Sequence, residues 1–278
     1  MSFEGSRAGG PVLTTGNGDF SELLRMNDYR SAVDSFRAPA AHALTGAATQ
    51  IEATTVLSFH FKDGVLIAGD RRATAGNMIM YDRADKVIDL DHDTIIAIAG
   101  SPAVAFEMAR TLQTSFQYYR RSQLQALSMP AKVRALGKLI KDNLPMTMQG
   151  VGTVVPILAA RDTQHHIEPT LYFYDALGAQ FQAADFAVSG SGSGAARSVL
   201  QWINRWSDQP TIKRNEKQAV QLALQLLDVA AESDSATGGV DRRSHVFPQV
   251  KLLTREGLRS VPVETLREYF TTLESAQK

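Results

Sequence analysis

The sequence predicts an α+β fold of four layers, in which two antiparallel sheets pack face to face and a helix pair covers each outer side. Segments with strand and helix periodicity follow one another in the order strands, two helices, strands, two helices, strands. No internal repeat interrupts this order. Each sheet has to bury a face against another layer, and stacking two sheets and two helix pairs in four layers achieves this most economically.

The first predicted strands follow residue 54. Thr54–Phe61 and Val65–Asp70 are β-branched or apolar runs, and the Asp63-Gly64 pair between them is typical of a tight hairpin turn. Residues 86–90 and 94–99 are two more short apolar runs. Because the connections are short, we expect these four strands to form one antiparallel meander.

Helical periodicity begins after these strands. Apolar residues recur at helical spacing between Ala103 and Arg121, with Ser101 as the candidate N-cap and Pro102 just inside the helix start. The remaining elements are predicted from the same patterns. The further helices are 130–143, 195–206, 215–231 and 262–273, and the further strands are 151–160, 171–175, 186–188 and 246–254, with turns at 175–178 and 255–257.

Composition excludes several kinds of function. The chain has 278 residues, of which 44% are hydrophobic, and its 29 basic and 29 acidic residues balance. Zero net charge gives no electrostatic reason to expect nucleic acid or an anionic membrane as a partner. The absence of cysteine excludes disulfides, a thiolate nucleophile and cysteine metal sites, and we expect no cofactor. Without a membrane-spanning apolar run or a secretory signal pattern, a cytoplasmic location is expected.

Residues 1–53 differ in character from the rest of the chain. They mix Gly, Ser, Thr and Ala with scattered charges and show no sustained period. Phe20–Met26 is an amphipathic stretch that could form one or two helical turns, and a disordered tail is the alternative. The pattern changes sharply at Thr54.

Thr54 has two interpretations. It can be the ordinary start of a strand. If the peptide bond before it is cut, however, one residue carries both a hydroxyl nucleophile and a free α-amine that can take the hydroxyl proton, directly or through water. An α-amino group has a pKa of about 7.7–8.0, close to working pH, and a nearby cation lowers that pKa further.

Later segments supply candidate partners for such a nucleophile. Asp70 ends a buried strand and Lys86 opens another, so a desolvated pair of the two could set the nucleophile's proton affinity. Gly100 stands at a strand-to-helix junction and offers the kind of backbone N–H that an oxyanion hole needs. The Gly/Ser run 189–194 lacks the spacing of nucleotide-binding loops, and 234–239 taken alone is a loop.

Together, in this order and spacing, these segments resemble proteasome β subunits, and among them the bacterial kind that works with an accessory ATPase and a protein-tagging system. The resemblance runs from residue 54 to residue 254. The motifs that carry it are Thr54-Thr-Val, Ala68–Asn77, Lys86-Val, Ile98–Gly100, Asn143–Gly150, Gly190–Ser193 and Asp234–Gly239. A simpler bacterial peptidase with its own hexameric ATPase shares the first block, whereas the last block and the long leader favour the true proteasome.

The resemblance implies the Ntn-hydrolase fold and a threonine endopeptidase. Thr54 would supply the Oγ nucleophile and the α-amine base, the Asp70–Lys86 pair would tune it, and the Gly100 N–H would stabilise the oxyanion. Three residues would surround the new N-terminus: Ser191, Asp234 and Thr237.

The resemblance also implies how substrate binds. Thr74 and Gly100 would pair with the substrate backbone, which binds as an added strand. Four apolar side chains would line the pocket for the residue before the cut, which predicts an apolar preference there. They are Ala73, Ala84, Ile98 and Pro102.

The resemblance also implies a zymogen that is activated by cleavage and works inside a barrel of stacked subunit rings. Residues 1–53 would be a propeptide removed autocatalytically, and residues 54–278 the peptidase domain. The implied partners are proteasome α subunits, stacked homo-heptameric β rings, a ring-shaped ATPase acting through the α ring, and unfolded protein substrates. Two alternatives stay open: a catalytically silent structural β subunit, and another N-terminal-nucleophile amidohydrolase acting on a small amide.

Two positions depart from the family pattern. Ala53 stands where a glycine usually precedes the catalytic threonine, and self-cleavage passes through a strained turn that glycine adopts easily, so slower maturation is expected. Pro102 has no N–H at a position where relatives bond the substrate backbone, which predicts one fewer main-chain hydrogen bond.

Overall fold

The structure is a computed structural model that describes residues 54–75, 78–163, 167–241 and 246–276. The chain divides into two units, residues 1–46 and 47–278, and all described residues belong to the second. The predictions for 1–53, including the Phe20–Met26 helix and the cleavage position Ala53, lie outside the described residues.

Among the described residues, the first sheet contains five strands. They are β1 (Thr55–Phe61), β2 (Gly64–Gly69), β10 (Phe186–Gly190), β11 (Gln249–Thr254) and β12 (Gly257–Ser260). Neighbouring strands pair antiparallel in the order β10-β1-β2-β11-β12. The predicted hairpin at Asp63-Gly64 is confirmed, because Gly64 pairs with Phe61 across it.

The second sheet also contains five strands. They are β5 (Val87–Asp91), β6 (Thr94–Ala97), β7 (Ile157–Asp162), β8 (Ile167–Tyr174) and β9 (Gln180–Ala183), antiparallel and in sequential order. A separate hairpin joins β3 (Ala73–Ala75) to β4 (Met78–Tyr81). The expected single meander is therefore wrong: β1 and β2 lie in the first sheet and β5 and β6 in the second, and residues 70–86 carry the chain between them.

Of the six α-helices that the structure describes, five lie close to their predicted positions and one short helix, α3 (Leu144–Met148), was not predicted. The six are α1 (Pro102–Gln123), α2 (Met129–Asp142), α3 (Leu144–Met148), α4 (Ser193–Trp206), α5 (Glu216–Ser233) and α6 (Val263–Ala276), with a 3-10 turn at Thr211–Lys213. Ser101 is the N-cap residue of α1 by position, but its side chain makes no capping hydrogen bond. Asn215 and Gln218 form a capping box that fixes the start of α5.

The hydrophobic core confirms the four layers. One cluster draws residues such as Val56, Ile67 and Ile95 from both sheets and none from a helix, so the sheets face each other. A second cluster joins the first sheet to α4, α5 and α6. A third joins the second sheet to α1 and α2. Alternation along β1 serves two of these cores, because Val56 faces the other sheet while Leu57 faces the helices.

Two kinds of prediction miss the observed elements. The strand expected over 151–160 is shorter, because Gly150 and Gly152 have φ of 76° and 70° and Pro156 cannot donate to a ladder. The elements β3, β4, β9, β12 and α3 were not predicted. All four side chains of β4 are exposed, so its sequence has no alternation to detect. Within the described part of the chain, no helix is long and apolar enough to cross a membrane.

Candidate active site

Thr54 lies at the start of β1 and is only 4% exposed. Its carbonyl oxygen accepts a hydrogen bond from the N–H of Ser191 at 2.9 Å. Gly190 packs directly against the same carbonyl, at a φ of 101°, and a Cβ there would lie 1.7 Å from the Thr54 oxygen. Only glycine fits this position. The Gly/Ser run 189–194 therefore allows the backbone to approach Thr54 closely.

Asp70 and Lys86 form a buried ion pair beside this residue. Lys86 Nζ lies 2.7 Å from Asp70 Oδ1, with side chains 4% and 0% exposed. The same Oδ1 accepts the N–H of Thr55 at 2.8 Å, so the pair sits one residue from Thr54. Asp70 Oδ2 accepts the N–H groups of Arg72 and Gly238, both at 2.9 Å. The carboxylate is thus fully hydrogen-bonded, as a buried charge requires.

The environment of Lys86 lowers its pKa. Burial is the largest cause, because the charged ammonium is poorly solvated there. The attraction and hydrogen bond of Asp70 oppose that effect, and the Arg72 guanidinium adds to it. Lys86 Nζ also donates to the Arg72 carbonyl oxygen. Lys86 is therefore a cation held in a fixed place, with a proton that it releases more easily than an exposed lysine does.

Ser191, Asp234 and Thr237 come together next to Thr54, where Ser191 Oγ lies 3.5 Å from the Thr54 carbonyl oxygen. Asp234 Oδ2 accepts hydrogen bonds from Ser191 Oγ and Thr237 Oγ1, each at 2.6 Å. Burial by itself raises the pKa of Asp234, but these two hydrogen bonds and one from the N–H of Ala236 outweigh it, and the net pKa is lowered. The carboxylate stays ionised and holds both hydroxyl groups in place.

Two residues at this site were missed by the sequence analysis. Thr55 is fully buried, and its Oγ1 lies 2.5 Å from Thr237 Oγ1 and accepts the N–H of Gly192 at 3.0 Å. Arg72 donates from Nη1 to the carbonyl oxygens of Ser235 and Thr237, at 3.0 and 3.2 Å. Thr55 directly follows Thr54, and Arg72 lies two residues after Asp70. Their closeness in sequence to these two candidate residues was the signal that could have identified them.

Gly192 allows the close packing of these hydroxyl groups, and this predicts a stability difference between two neighbouring glycines. A Cβ at Gly192 would lie 2.6 Å from Thr55 Oγ1 and 2.7 Å from Thr237 Oγ1. Gly192→Ala should therefore lower the free energy of unfolding by about 1–3 kcal/mol, as overpacking does. Thermal and denaturant unfolding of the purified chain would measure it.

Gly194→Ala is the matched control for that substitution. No atom of the described residues lies within 4 Å of a Cβ at Gly194, which stands in the first turn of α4. Alanine there should stabilise the chain by roughly 0.5–1 kcal/mol, because glycine is the weaker helix former. Equal stability changes at positions 192 and 194 would contradict the packing described for the site.

Gly100, the predicted oxyanion-hole donor, lies between β6 and α1. Its φ is 104°, and it forms an isolated antiparallel bridge with Val154. The hydrogen bonds of this bridge run from Ser101 N to Thr153 O at 2.8 Å and from Val155 N to Ala99 O at 2.9 Å. The N–H of Gly100 takes no part in the bridge, and we interpret it as directed to the opposite side.

Four of the six predicted substrate-binding residues, all but Gly100 and Pro102, lie on segments next to the ion pair. Thr74 pairs with Ile79 inside the β3–β4 hairpin, and no other described strand pairs with that hairpin. Two further segments are tied to residues at or next to the ion pair by backbone bonds of 2.9 Å, Ala84 N to Arg71 O and Ile98 N to Lys86 O. The remaining two predicted residues are Ala73, the first residue of β3, and Pro102, the first residue of α1.

Comparison with known proteins gives consistent matches. The profile of the family described as "Proteasome subunit" matches residues 51–245. The chain is 36% identical over 225 residues to "Proteasome subunit beta 2" of Thermomonospora curvata, covering 81% of this chain and 78% of that protein. It is 35% identical over 264 residues to "Proteasome subunit beta 1" of Streptomyces avermitilis, covering 93% and 89%. "Proteasome subunit beta" of Acidimicrobium ferrooxidans is 36% identical over 223 residues, covering 80% and 79%.

Proposed function

This chain belongs to the proteasome subunit family, and on that premise we propose that it is a catalytic β subunit of the core particle, a threonine endopeptidase that acts through Thr54. The observation that carries the proposal is the buried Asp70–Lys86 pair, whose carboxylate also binds the N–H next to Thr54. A buried ion pair is weak evidence for stability, because desolvation offsets much of the attraction. A pair placed beside a candidate nucleophile favours a catalytic role over a structural one.

Maturation would be the first reaction of the site. Thr54 Oγ attacks the carbonyl carbon of Ala53, the peptide C–N bond breaks, and the chain is left as an ester with a free α-amine. Water then hydrolyses the ester and releases residues 1–53. Ala53 adopts the required turn less easily than glycine, so we propose that this step is slower than in relatives with glycine there.

Peptide hydrolysis would use the amine that maturation creates. The α-amine of Thr54 accepts the Oγ proton, directly or through water, as Oγ attacks the substrate carbonyl. The N–H of Gly100 stabilises the oxyanion, and the ammonium then protonates the leaving amine. Water hydrolyses the resulting ester. The Lys86 ammonium favours the neutral form of the nearby amine, which keeps this base available near neutral pH.

Substrate would bind as an added strand along Thr74, because the β3–β4 hairpin has no other described partner strand. The residue before the cut would enter the pocket lined by four apolar side chains, so we propose a preference for apolar residues there. These side chains are Ala73, Ala84, Ile98 and Pro102.

The assembly we propose is a cytoplasmic barrel of two homo-heptameric β rings between α rings, fed with unfolded protein by a ring-shaped ATPase. The relatives are named as proteasome β subunits, which supports assembly with other subunits. An exposed apolar surface on α4 also supports contact with a neighbouring subunit. Trp202 and Trp206, both on α4, are 60% and 69% exposed. Large exposed apolar side chains on one helix face are typical of protein contacts.

The test is the intact mass and N-terminal sequence of the chain purified with its α partner. We expect loss of residues 1–53, Thr54 as the first residue, and hydrolysis of a fluorogenic peptide that has an apolar residue before the cut. An assembled particle with full-length, inactive chains would instead identify a silent structural subunit. Activity on small amides that does not need α subunits would identify another N-terminal-nucleophile amidohydrolase.

A further inference from the structure

Gln249, the first residue of β11, extends its side chain from the first sheet to the second. Its Oε1 accepts the backbone N–H groups of Lys86 and Val87, at 2.7 and 3.1 Å. Its Nε2 donates to Asp85 Oδ1 at 2.7 Å. One side-chain amide therefore binds three consecutive residues where the chain enters β5. Lys86 stands just before β5, an edge strand, and the Gln249 amide satisfies the N–H groups of both Lys86 and Val87 there.

The backbone of Gln249 contacts the segment that carries Asp70, the other residue of the ion pair. Gln249 pairs with Gly69, the residue before Asp70, in the register of β11 and β2. A Cβ on Gly69 would lie 3.2 Å from Val87 Cγ2 and 3.5 Å from Lys86 Cβ, so the two segments approach closely there. Gln249 thus holds both segments at once, one through its backbone and one through its side chain.

We infer that Gln249 is a positioning residue for the peptidase reaction, which fixes Lys86 Nζ between the Asp70 carboxylate and the Arg72 carbonyl. Its side-chain hydrogen bonds go to residues 85–87, so it acts through Lys86. The inference rests on the proposed function, because Lys86 matters to catalysis only if Thr54 is the nucleophile.

Asp85 and Arg71 form a second, more exposed link between the Asp70 and Lys86 segments. Asp85 Oδ1, which binds the Gln249 amide, also accepts from Arg71 Nη2 at 2.9 Å. Arg71 directly follows Asp70, so this contact again links the segments of the two charged partners. The Asp85 side chain is 66% exposed, however, and exposed ion pairs contribute little. The amide oxygen of Gln249 is therefore the main connection.

Gln249→Met tests the inference, because methionine has a similar length but no group that can bind the two N–H donors. In the processed particle we expect kcat to fall about 10-fold with KM within about 2-fold. We also expect the acid limb of the kcat/KM profile to move up by about 0.5 pH unit, because a displaced ammonium lowers the pKa of the Thr54 amine less. Gln249→Glu combined with Asp85→Asn keeps the acceptor oxygen for the two N–H groups, reverses the hydrogen bond to residue 85 without a change of net charge, and should recover most of kcat.

Gln182→Met, at an exposed position of β9, is the matched control and should leave the pH profile unchanged. A purely structural role for Gln249 would lower the thermal stability of the particle without moving the acid limb. An unchanged acid limb in an assembled, processed Gln249→Met particle would overturn the inference and leave the proposed function intact. A wild-type particle that neither processes nor hydrolyses peptides would overturn both.

Discussion

Replacing Thr54 by alanine is expected to abolish peptidase activity and also the removal of residues 1–53. Both reactions need the Oγ atom as nucleophile, and alanine has no hydroxyl group. The fold should survive, because the contact of Thr54 with Ser191 N is made by the backbone carbonyl, which alanine keeps. Intact mass should show the full-length chain, and peptide hydrolysis should fall to background.

Thr54→Ser is the control for that variant, since serine keeps the hydroxyl and, after cleavage, the α-amine. We expect it to lose residues 1–53 and to retain measurable hydrolysis. Processed and active Thr54→Ala particles would contradict the assignment of the nucleophile. Unprocessed Thr54→Ser particles would show that the threonine methyl group is needed to place Oγ, because that group alone distinguishes the two side chains.

The elements that could be predicted are those with a local signal. The Asp63-Gly64 turn fixes the β1–β2 hairpin through its own turn chemistry. The helices α1 and α5 were predicted from apolar spacing, and the Asn215–Gln218 capping box marks where α5 begins.

The assignment of strands to sheets could not be predicted in the same way. A period of two shows that a strand has two faces, but not which strand lies beside it. Short connections favoured a meander, whereas residues 70–86 pass from one sheet to the other. The strand β4 (Met78–Tyr81) is apolar at every position although all four side chains are exposed, so its sequence shows no alternation.

In the candidate site, too, residues with a local sequence signal could be predicted and long-range contacts could not. Asp70, Lys86 and Gly100 stand at strand ends, where a sequence pattern can place them. The contacts of Gln249 with Lys86 and of Arg72 with Thr237 join residues more than 160 positions apart. No local pattern encodes such pairs, because they depend on how β11 and the loop after α5 pack against the sheet.

Replacing Lys86 by methionine is expected to lower kcat at neutral pH at least about 100-fold, the size typical of losing proton-transfer assistance. Methionine keeps the length of the side chain and removes the charge. Asp70 keeps its hydrogen bonds from three backbone N–H groups, those of Thr55, Arg72 and Gly238. Breaking a buried pair still costs about 3–5 kcal/mol of stability, so kcat should be measured per processed, assembled subunit.

Lys251→Met is the matched control. Lys251 lies on β11 and pairs with Asp89 on β5 at 2.7 Å, the same distance as in the Lys86–Asp70 pair, but away from Thr54. Its loss removes an ion pair between the same two sheets but leaves the Asp70–Lys86 pair in place, so kcat should stay within about 2-fold. A comparable loss of activity in both variants would assign the effect to sheet packing rather than to the charge beside Thr54.

The pH dependence decides what the Lys86 charge does. The Thr54 amine has to be neutral to accept the Oγ proton, and a neighbouring ammonium lowers the pKa of that amine. Without Lys86 the pKa of the amine rises, so the acid limb of kcat/KM should move to higher pH. The ratio of variant to wild-type activity should then increase as the pH is raised through the amine pKa of about 7.7–8.0. A ratio that stays constant across this range would show that Lys86 only holds the site together.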